Sequence, residues 1–279
     1  MRILFFCPFW GLAQPYLEAF REPVRPLLEK IKAAGYDGVE THLPFGAAQK
    51  KEFLNLLKAY DLALIAQHWA ATGDAADDYL ADLEKHLYNA AETEVLFINS
   101  QTGKDFFTFG ENVRILERAF AIQQETGVKV VHETHRGKFS FHGRTLLPYL
   151  ERFPDLRLTA DFSHWCNVSE SLLQDQGAIV QQAISRADHI HSRVGHSQAA
   201  QVNDPRAPEW QEALNCHLAW WDAIVAAHRR AGSPTFTITT EFGPDPYMPA
   251  LPFTRQPVTS QWEVNVFMMD LLRKRYAGG

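Results

Sequence analysis

A chain of 279 residues with 46% hydrophobic and 22% charged positions can bury a sizeable core, and is too apolar to be a disordered polymer. Its formal charge of −6 gives the surface no general pull on nucleic-acid or anionic-membrane phosphates, and its densest basic run is Arg273-Lys274-Arg275. Three cysteines, Cys7, Cys166 and Cys216, share no C-x-x-C spacing, which argues against a disulfide framework or a sulfur-ligated zinc and reads as reduced thiols in a cytoplasmic protein.

The first apolar run, 2–10 (RILFFCPFW), reads as a core strand. Pro8 interrupts it and no small-residue cleavage site follows, unlike a secretory leader. A helix at 15–33 stops before Gly35, and strand 35–43 (GYDGVETHL) follows. Then come helix 48–60, strand 62–69, helix 74–91 with acids in its first turn, strand 95–101, and helix 111–126 before Gly127. Strand 128–134, helix 143–153, strand 156–164, helix 169–187 and strand 189–194 continue the alternation. Helix 208–231 ends before Gly232, strand 235–242 follows, and helix 259–276 closes the series. No stretch approaches the ~20 apolar residues of a membrane span. Eight strand–helix units without a flexible linker predict a single (β/α)8 TIM barrel over 1–279. A doubly wound open sheet is the alternative, but it usually carries a Gly-rich turn after its first strand, and CPFWGLAQP is not one.

A barrel keeps its site at the C-terminal ends of its strands. Those ends are polar here: Glu40 and His42, Gln67 and His68, Asn99 and Gln101, Glu133 and His135, Asp161 and His164, His189, His191 and Arg193, and Glu241. A carboxylate closing an apolar strand such as VKVVHE is costly unless it is paired, hydrogen-bonded or bound to metal. Glu133, Asp161 and Glu241 on one mouth would repel one another without a cation. One divalent ion, held by these three and a histidine of the seventh strand, resolves the repulsion. Oxygen donors with one imidazole suit Mn²⁺, Mg²⁺, Co²⁺ or Zn²⁺.

The pieces GYDGVE, Glu133 in VHETHRG, DFSH (Asp161, His164), HIH and Glu241 in TTEFG together resemble the xylose-isomerase-like TIM-barrel superfamily, which holds sugar isomerases, epimerases and AP endonuclease IV. The resemblance implies a divalent metal on Glu133, Asp161, His191 and Glu241, with His189 as second choice, and makes His164 a substrate contact. It implies proton transfer next to a carbonyl through an enediolate, with Glu133 and Glu241 as the catalytic acid–base pair. His164 and Arg193 would orient hydroxyls, and Glu40, His68, Arg136 and His196 are further substrate-binding candidates.

Two departures bear on the reaction. The nuclease branch needs a His on the fourth strand and a D-x-H after the seventh, where this chain has Asn99, Gln101 and QVNDP. The segment SRVGHSQAAQVNDPRAPEW is not the short loop of the ketose epimerases, and His196 within it could serve as the acid of an elimination. A dehydratase or lyase on a keto-sugar or keto-acid is therefore the runner-up, ahead of a non-catalytic binding scaffold or an abasic-site endonuclease. Phe9, Trp10, Trp69, Phe162, Trp165 and Phe242 near the strand ends fit either sugar stacking or loop packing. No glycine-rich phosphate cradle follows the last two strands, which favours an unphosphorylated substrate. The partner expected is a small sugar or sugar-derived molecule, not nucleic acid or membrane, and self-association is compatible with the sequence.

Overall fold

The computed structural model describes residues 1–12 and 24–277. Eight parallel strands, β1 (Arg2–Pro8), β2 (Gly38–Thr41), β3 (Ala63–His68), β4 (Ile98–Ser100), β5 (Val130–Glu133), β6 (Leu158–Ala160), β7 (Ala187–His191) and β8 (Thr235–Thr239), pair in chain order and close into a barrel through β1 and β8. Around them run α1 (Val24–Ala33), α2 (Ala47–Ala59), α3 (Ala76–Ala91), α4 (Phe109–Thr126), α5 (Gly143–Arg152), α6 (Phe162–Val168), α7 (Gly177–Ile184), α8 (Gln211–Arg230) and α9 (Gln261–Tyr276). The first part of the helix expected at 15–33 falls outside the described residues. Among those residues, no helix is long and apolar enough to cross a membrane. Cys7, Cys166 and Cys216 are all free thiols.

Local chemistry sets the helix ends. Thr108 caps α4 by accepting from Glu111 N at 3.3 Å, and the Glu111 carboxylate accepts from Thr108 N at 2.8 Å. At its other end Gly127 takes φ 72°, a left-handed turn that costs glycine nothing, and donates to Gln123 O. The sixth unit departs from the expectation of a strand to 164 and a helix at 169–187. The Asp161 carboxylate accepts from Ser163 N at 3.2 Å and starts α6 straight after β6. His164 therefore stands on a helix, not on a strand end. Glu170 and Leu173, with φ of 49° and 57°, break the chain between α6 and α7.

Two apolar regions sandwich the strands. The larger lies between the sheet and the helices, around Leu83, Leu116, Leu146, Trp221 and Met268. The smaller fills the barrel floor with Phe6, Ile65, Phe97 and Val131. Side chains alternate along a strand, so the next inward positions above Val131 and Ile65 are Glu133 and Gln67. The polar mouth thus rests directly on a dry floor.

Candidate metal centre and cavity

The lowest polar layer is a closed network around Glu40 of β2. Its carboxylate accepts from Asn99 Nδ2 at 2.7 Å, meets His191 Nε2 at 3.0 Å and His189 Nε2 at 3.2 Å, and takes the Thr239 hydroxyl. His189 uses its other nitrogen on Thr237, 2.7 Å from Oγ1. Both of its ring nitrogens are therefore engaged by protein. His191 differs: Nε2 faces Glu40, while Nδ1 is buried and, among the described residues, has no hydrogen-bond partner. That free nitrogen lies 3.7 Å from Glu133 Oε1 and 3.9 Å from Asp161 Oδ2.

Glu133, Asp161 and His191 each offer a donor atom within 4.8 Å of the others, with all three residues buried. Asn99 Nδ2 at 3.1 Å and Gln101 Nε2 at 3.3 Å hold Glu133 Oε2. Ser163 Oγ and Arg193 Nη2 hold the two oxygens of Asp161. Glu241 lies outside that trio but shares its electrostatics and lines the cavity above, with Oε2 buried and, among the described residues, without a partner. The structure thus meets the chemistry of a cation site: oxygen donors, one imidazole nitrogen with no other partner, and an orphaned carboxylate oxygen.

The buried carboxylates and His191 shift one another strongly. Burial would keep Glu40 neutral, but His191 and His189 hold it well below the usual carboxylate range. Burial also opposes ionisation of Glu133, yet His191 beside it brings the group down to about 2. Burial acts to neutralise His191, but Glu40, Glu241 and Glu133 together raise it well above the ordinary imidazole value. Burial pushes Glu241 up to about 7, with Glu40 and Glu133 adding to the rise against His191 and Arg193. Glu40 and Glu133 thus stay ionised while His191 and Glu241 hold protons more readily, and a divalent cation would answer the same field.

Above this floor opens a cavity of about 280 Å³. Glu241, Arg193, His135, Gln67 and Gln101 supply its polar wall, and Trp10, Trp69 and Tyr247 its aromatic one. Arg193 is buried; it donates to Asp161 Oδ2 at 2.5 Å and lies 2.7 Å from His164 Nε2, with Nε donating to Ser163 Oγ at 3.2 Å. His164 accepts there as a neutral ring, burial having driven its pKa well down, and its Nδ1 is left without a partner. The His135 ring centroid is 3.8 Å from that of His164, and its Nδ1 donates to Arg136 O. Arg136 and Arg193 lie over the Tyr247 ring, each 4.7 Å from its centroid.

Of the six expected substrate contacts Arg193 alone lines the cavity; Glu40 lies in the hydrogen-bonded layer beneath it, His164 and Arg136 contact the lining residues Arg193 and Tyr247, and the other two are turned elsewhere. His68 points outward from β3: it hydrogen-bonds Ser100 Oγ at 2.9 Å, accepts from Ala71 N at 3.2 Å and packs beside His86 of α3. Its neighbour Gln67 takes the inward position, because adjacent strand residues face opposite sides. His196 stacks on Trp210 with centroids 4.6 Å apart, in a hairpin-like turn closed on Ala199. The segment after β7 braces the site instead: Gln201 donates to Gly243 O at 3.1 Å and accepts from Gly243 N at 2.7 Å. Among the aromatics, Trp10 and Trp69 line the cavity, whereas Phe9, Phe162, Trp165 and Phe242 belong to the buried core. His135 and Tyr247 complete the wall without having been singled out as contacts. For His135 the signal was its place two residues beyond Glu133; for Tyr247, in the proline-rich loop after β8, there was none.

A family model described as xylose isomerase-like TIM barrel matches residues 28–255. No curated protein matches the chain in sequence. Among solved structures, the chain resembles the 3-keto-D-glucoside 4-epimerase YcjR of E. coli at 15% identity and TM-score 0.61, covering 98% of this chain and 100% of that one. It also resembles a xylose isomerase-like TIM barrel protein of Mycobacterium smegmatis in complex with magnesium, at 10% identity, TM-score 0.63 and 98% coverage of both chains. A third likeness is to the probable 3-DHS dehydratase AsbF of Bacillus anthracis, at 15% identity and TM-score 0.57, covering 99% of this chain and 100% of that one.

Proposed function

The chain belongs to the xylose isomerase-like TIM barrel family, and on that premise we propose that it is a divalent-metal-dependent isomerase or epimerase of a sugar or keto-sugar, moving a proton beside a carbonyl through an enediolate. The observation that carries this reading is the buried trio Glu133, Asp161 and His191, with His191 Nδ1 free and Glu241 Oε2 unpartnered beside the cavity. Glu133, Asp161, His191 and Glu241 would hold the ion, which when bound polarises the substrate carbonyl and steadies the negative charge that develops on it.

The remaining work falls to side chains. Glu241 keeps an oxygen that no donor among the described residues occupies, so it is suited to take and return the proton at carbon. Glu133 is pinned by Asn99 and Gln101 and offers a second carboxylate from another strand for return of the proton at a different face or carbon. Arg193, fixed by Asp161 and Ser163, supplies positive charge to the cavity wall. Trp10, Trp69 and Tyr247 give a C–H-rich sugar face a surface to pack against. The YcjR and AsbF likenesses are compatible with proton abstraction next to a carbonyl, followed by return or by elimination. The elimination reading leaned on His196 as the acid, and with that ring against Trp210 it loses its particular support.

The test is a metal titration followed by a sugar screen in deuterated water. Mn²⁺, Co²⁺, Mg²⁺ or Zn²⁺ should raise the melting temperature, and a keto- or aldo-sugar should gain one deuterium without other mass change. Loss of a water from substrate would move the assignment to a lyase. No thermal response to any of these ions and no exchange would leave a binding scaffold.

A further inference from the structure

Three carboxamides occupy the β3–β4 flank of the mouth: Gln67, its registered neighbour Asn99, and Gln101 two residues beyond Asn99. Two of them are engaged by the carboxylates. Asn99 donates to Glu40 and Glu133, and Gln101 donates to Glu133. Gln67 is not. It is 8% exposed and lines the cavity, yet among the described residues its side-chain amide makes no hydrogen bond.

A carboxamide withdrawn from water without a partner is destabilising, and such groups are retained where something else completes them. Ile65, two residues earlier on the barrel floor, fixes the inward direction of Gln67, since alternate strand residues share a face. Neither amide atom is sealed inside protein, so what stays exposed of this side chain opens to the cavity it lines. Donor and acceptor sit side by side on a carboxamide. They match two neighbouring hydroxyls, one giving its hydrogen to Oε1 and the other accepting from Nε2.

Gln101 adds an acceptor to the same flank. Its Nε2 is taken by the Glu133 carboxylate, which can only accept, so Oε1 is the atom left for a ligand's donor. A carboxylate or phosphoryl group, offering acceptors alone, has nothing to give that oxygen. Nor does the wall hold a cation to spare. Among the described residues Arg193 is the only lysine or arginine that lines the cavity. It already donates to Asp161 and Ser163, to Glu241 O at 3.3 Å, and toward His164 Nε2.

We propose that Gln67, with Gln101 Oε1 from the adjoining strand, reads hydroxyl groups of the substrate and so selects a neutral polyhydroxylated sugar over a sugar acid or a sugar phosphate. The presence of a sugar rests on the function proposed above; the unengaged amide and the committed arginine do not.

The experiment uses the full chain with Mg²⁺ and measures by calorimetry the Kd of D-fructose, D-tagatose, D-psicose, D-fructose 6-phosphate and 2-keto-D-gluconate. At least one neutral ketohexose should bind about ten-fold or more tighter than either anion. Gln67→Met should weaken that ketohexose about ten-fold, as expected when neutral hydrogen bonds to a ligand are lost. It should leave Mg²⁺ affinity unchanged and melt no lower than the parent. Gln67→Asn keeps the amide one methylene short and should fall between parent and Gln67→Met; it carries the test if Gln67→Met does not fold. In ¹⁵N-labelled protein, the side-chain NH₂ signals assigned to Gln67 by these substitutions should shift as the ketohexose is added, which a merely structural role would not produce. Failure of every ketohexose to bind, an anion bound as tightly, or Gln67→Met with its Kd intact overturns the proposal. Solvent deuterium entering a ketohexose with KM unmoved by Gln67→Met would sink this reading and keep the isomerase. Gln67-dependent ketohexose binding without exchange does the reverse.

Discussion

The packing of Trp10 on Gly243 makes a sharp test of how the cavity wall is built. A Cβ placed on Gly243 would lie 1.9 Å from Trp10 Cη2, 2.3 Å from Cζ2 and 2.7 Å from Cζ3. The indole would have to retreat by about 1.5 Å to regain ordinary contact near 3.4 Å. It is not free to do so cheaply, because its face meets Tyr247 edge-on at 5.4 Å and Gln261 bonds its carbonyl at 3.2 Å. Overpacking of this kind costs about 1–3 kcal/mol. For a chain of this length Gly243→Ala should therefore lower the melting temperature by roughly 2–6 °C. Trp10→Phe removes the outer ring atoms that clash, so Gly243→Ala added to it should cost little, giving a coupling of about 1–3 kcal/mol in a double-mutant cycle read by denaturant unfolding. Equal penalties in both backgrounds, or none in either, would show that Trp10 does not sit on Gly243 and that the wall has been misdrawn.

Glu40→Gln should weaken Mn²⁺ or Zn²⁺ binding by roughly 10–100-fold while the protein stays folded, because the carboxylate that engages His191 Nε2 leaves Nδ1 toward Glu133 and Asp161; unchanged affinity by calorimetry would mean that His191 is not a ligand. At the strand starts of β5 to β7 Asp188 is ion-paired to Lys129 and Arg157, and although burial opposes its ionisation, these partners hold it below the usual carboxylate value. Asp188→Asn should cost about 1–3 kcal/mol at neutral pH. With the folded value depressed, that contribution is complete above the unfolded value near 3.8 and fades as pH falls through the folded one, so parent and variant should converge in acid. A difference in unfolding free energy that stayed constant from pH 6 to below pH 3 would count against the pairing.

Much of this molecule could be read along the chain. Alternating apolar runs and amphipathic segments carry the barrel, since each strand needs burial on both faces and each helix on one. The carboxylates Glu133, Asp161 and Glu241 stood out for a similarly local reason, as charge at the ends of apolar runs. Adjacent polar residues at one strand end were harder. Gln67 and His68 look equivalent until Ile65, on the barrel floor, fixes which parity faces inward. Asp161 was read as a strand end, but the same residue type is a helix cap, and only its bond to Ser163 N decides between them.

Other features exist only once the barrel closes. Glu40 and His191 are 151 positions apart, and no local pattern states that strand 2 faces strand 7 across the mouth at 3.0 Å. Tyr247 arrives from a proline-rich loop with no periodicity and becomes a cavity wall because Arg136 and Arg193 both lie over its ring. The sequence alone determined the strand–helix alternation and which residue types crowd the mouth, because burial and periodicity act over a few residues. Tertiary structure decided which nitrogen of which histidine is left free and which residues meet across the mouth, because those depend on distances set by ring closure and strand stagger.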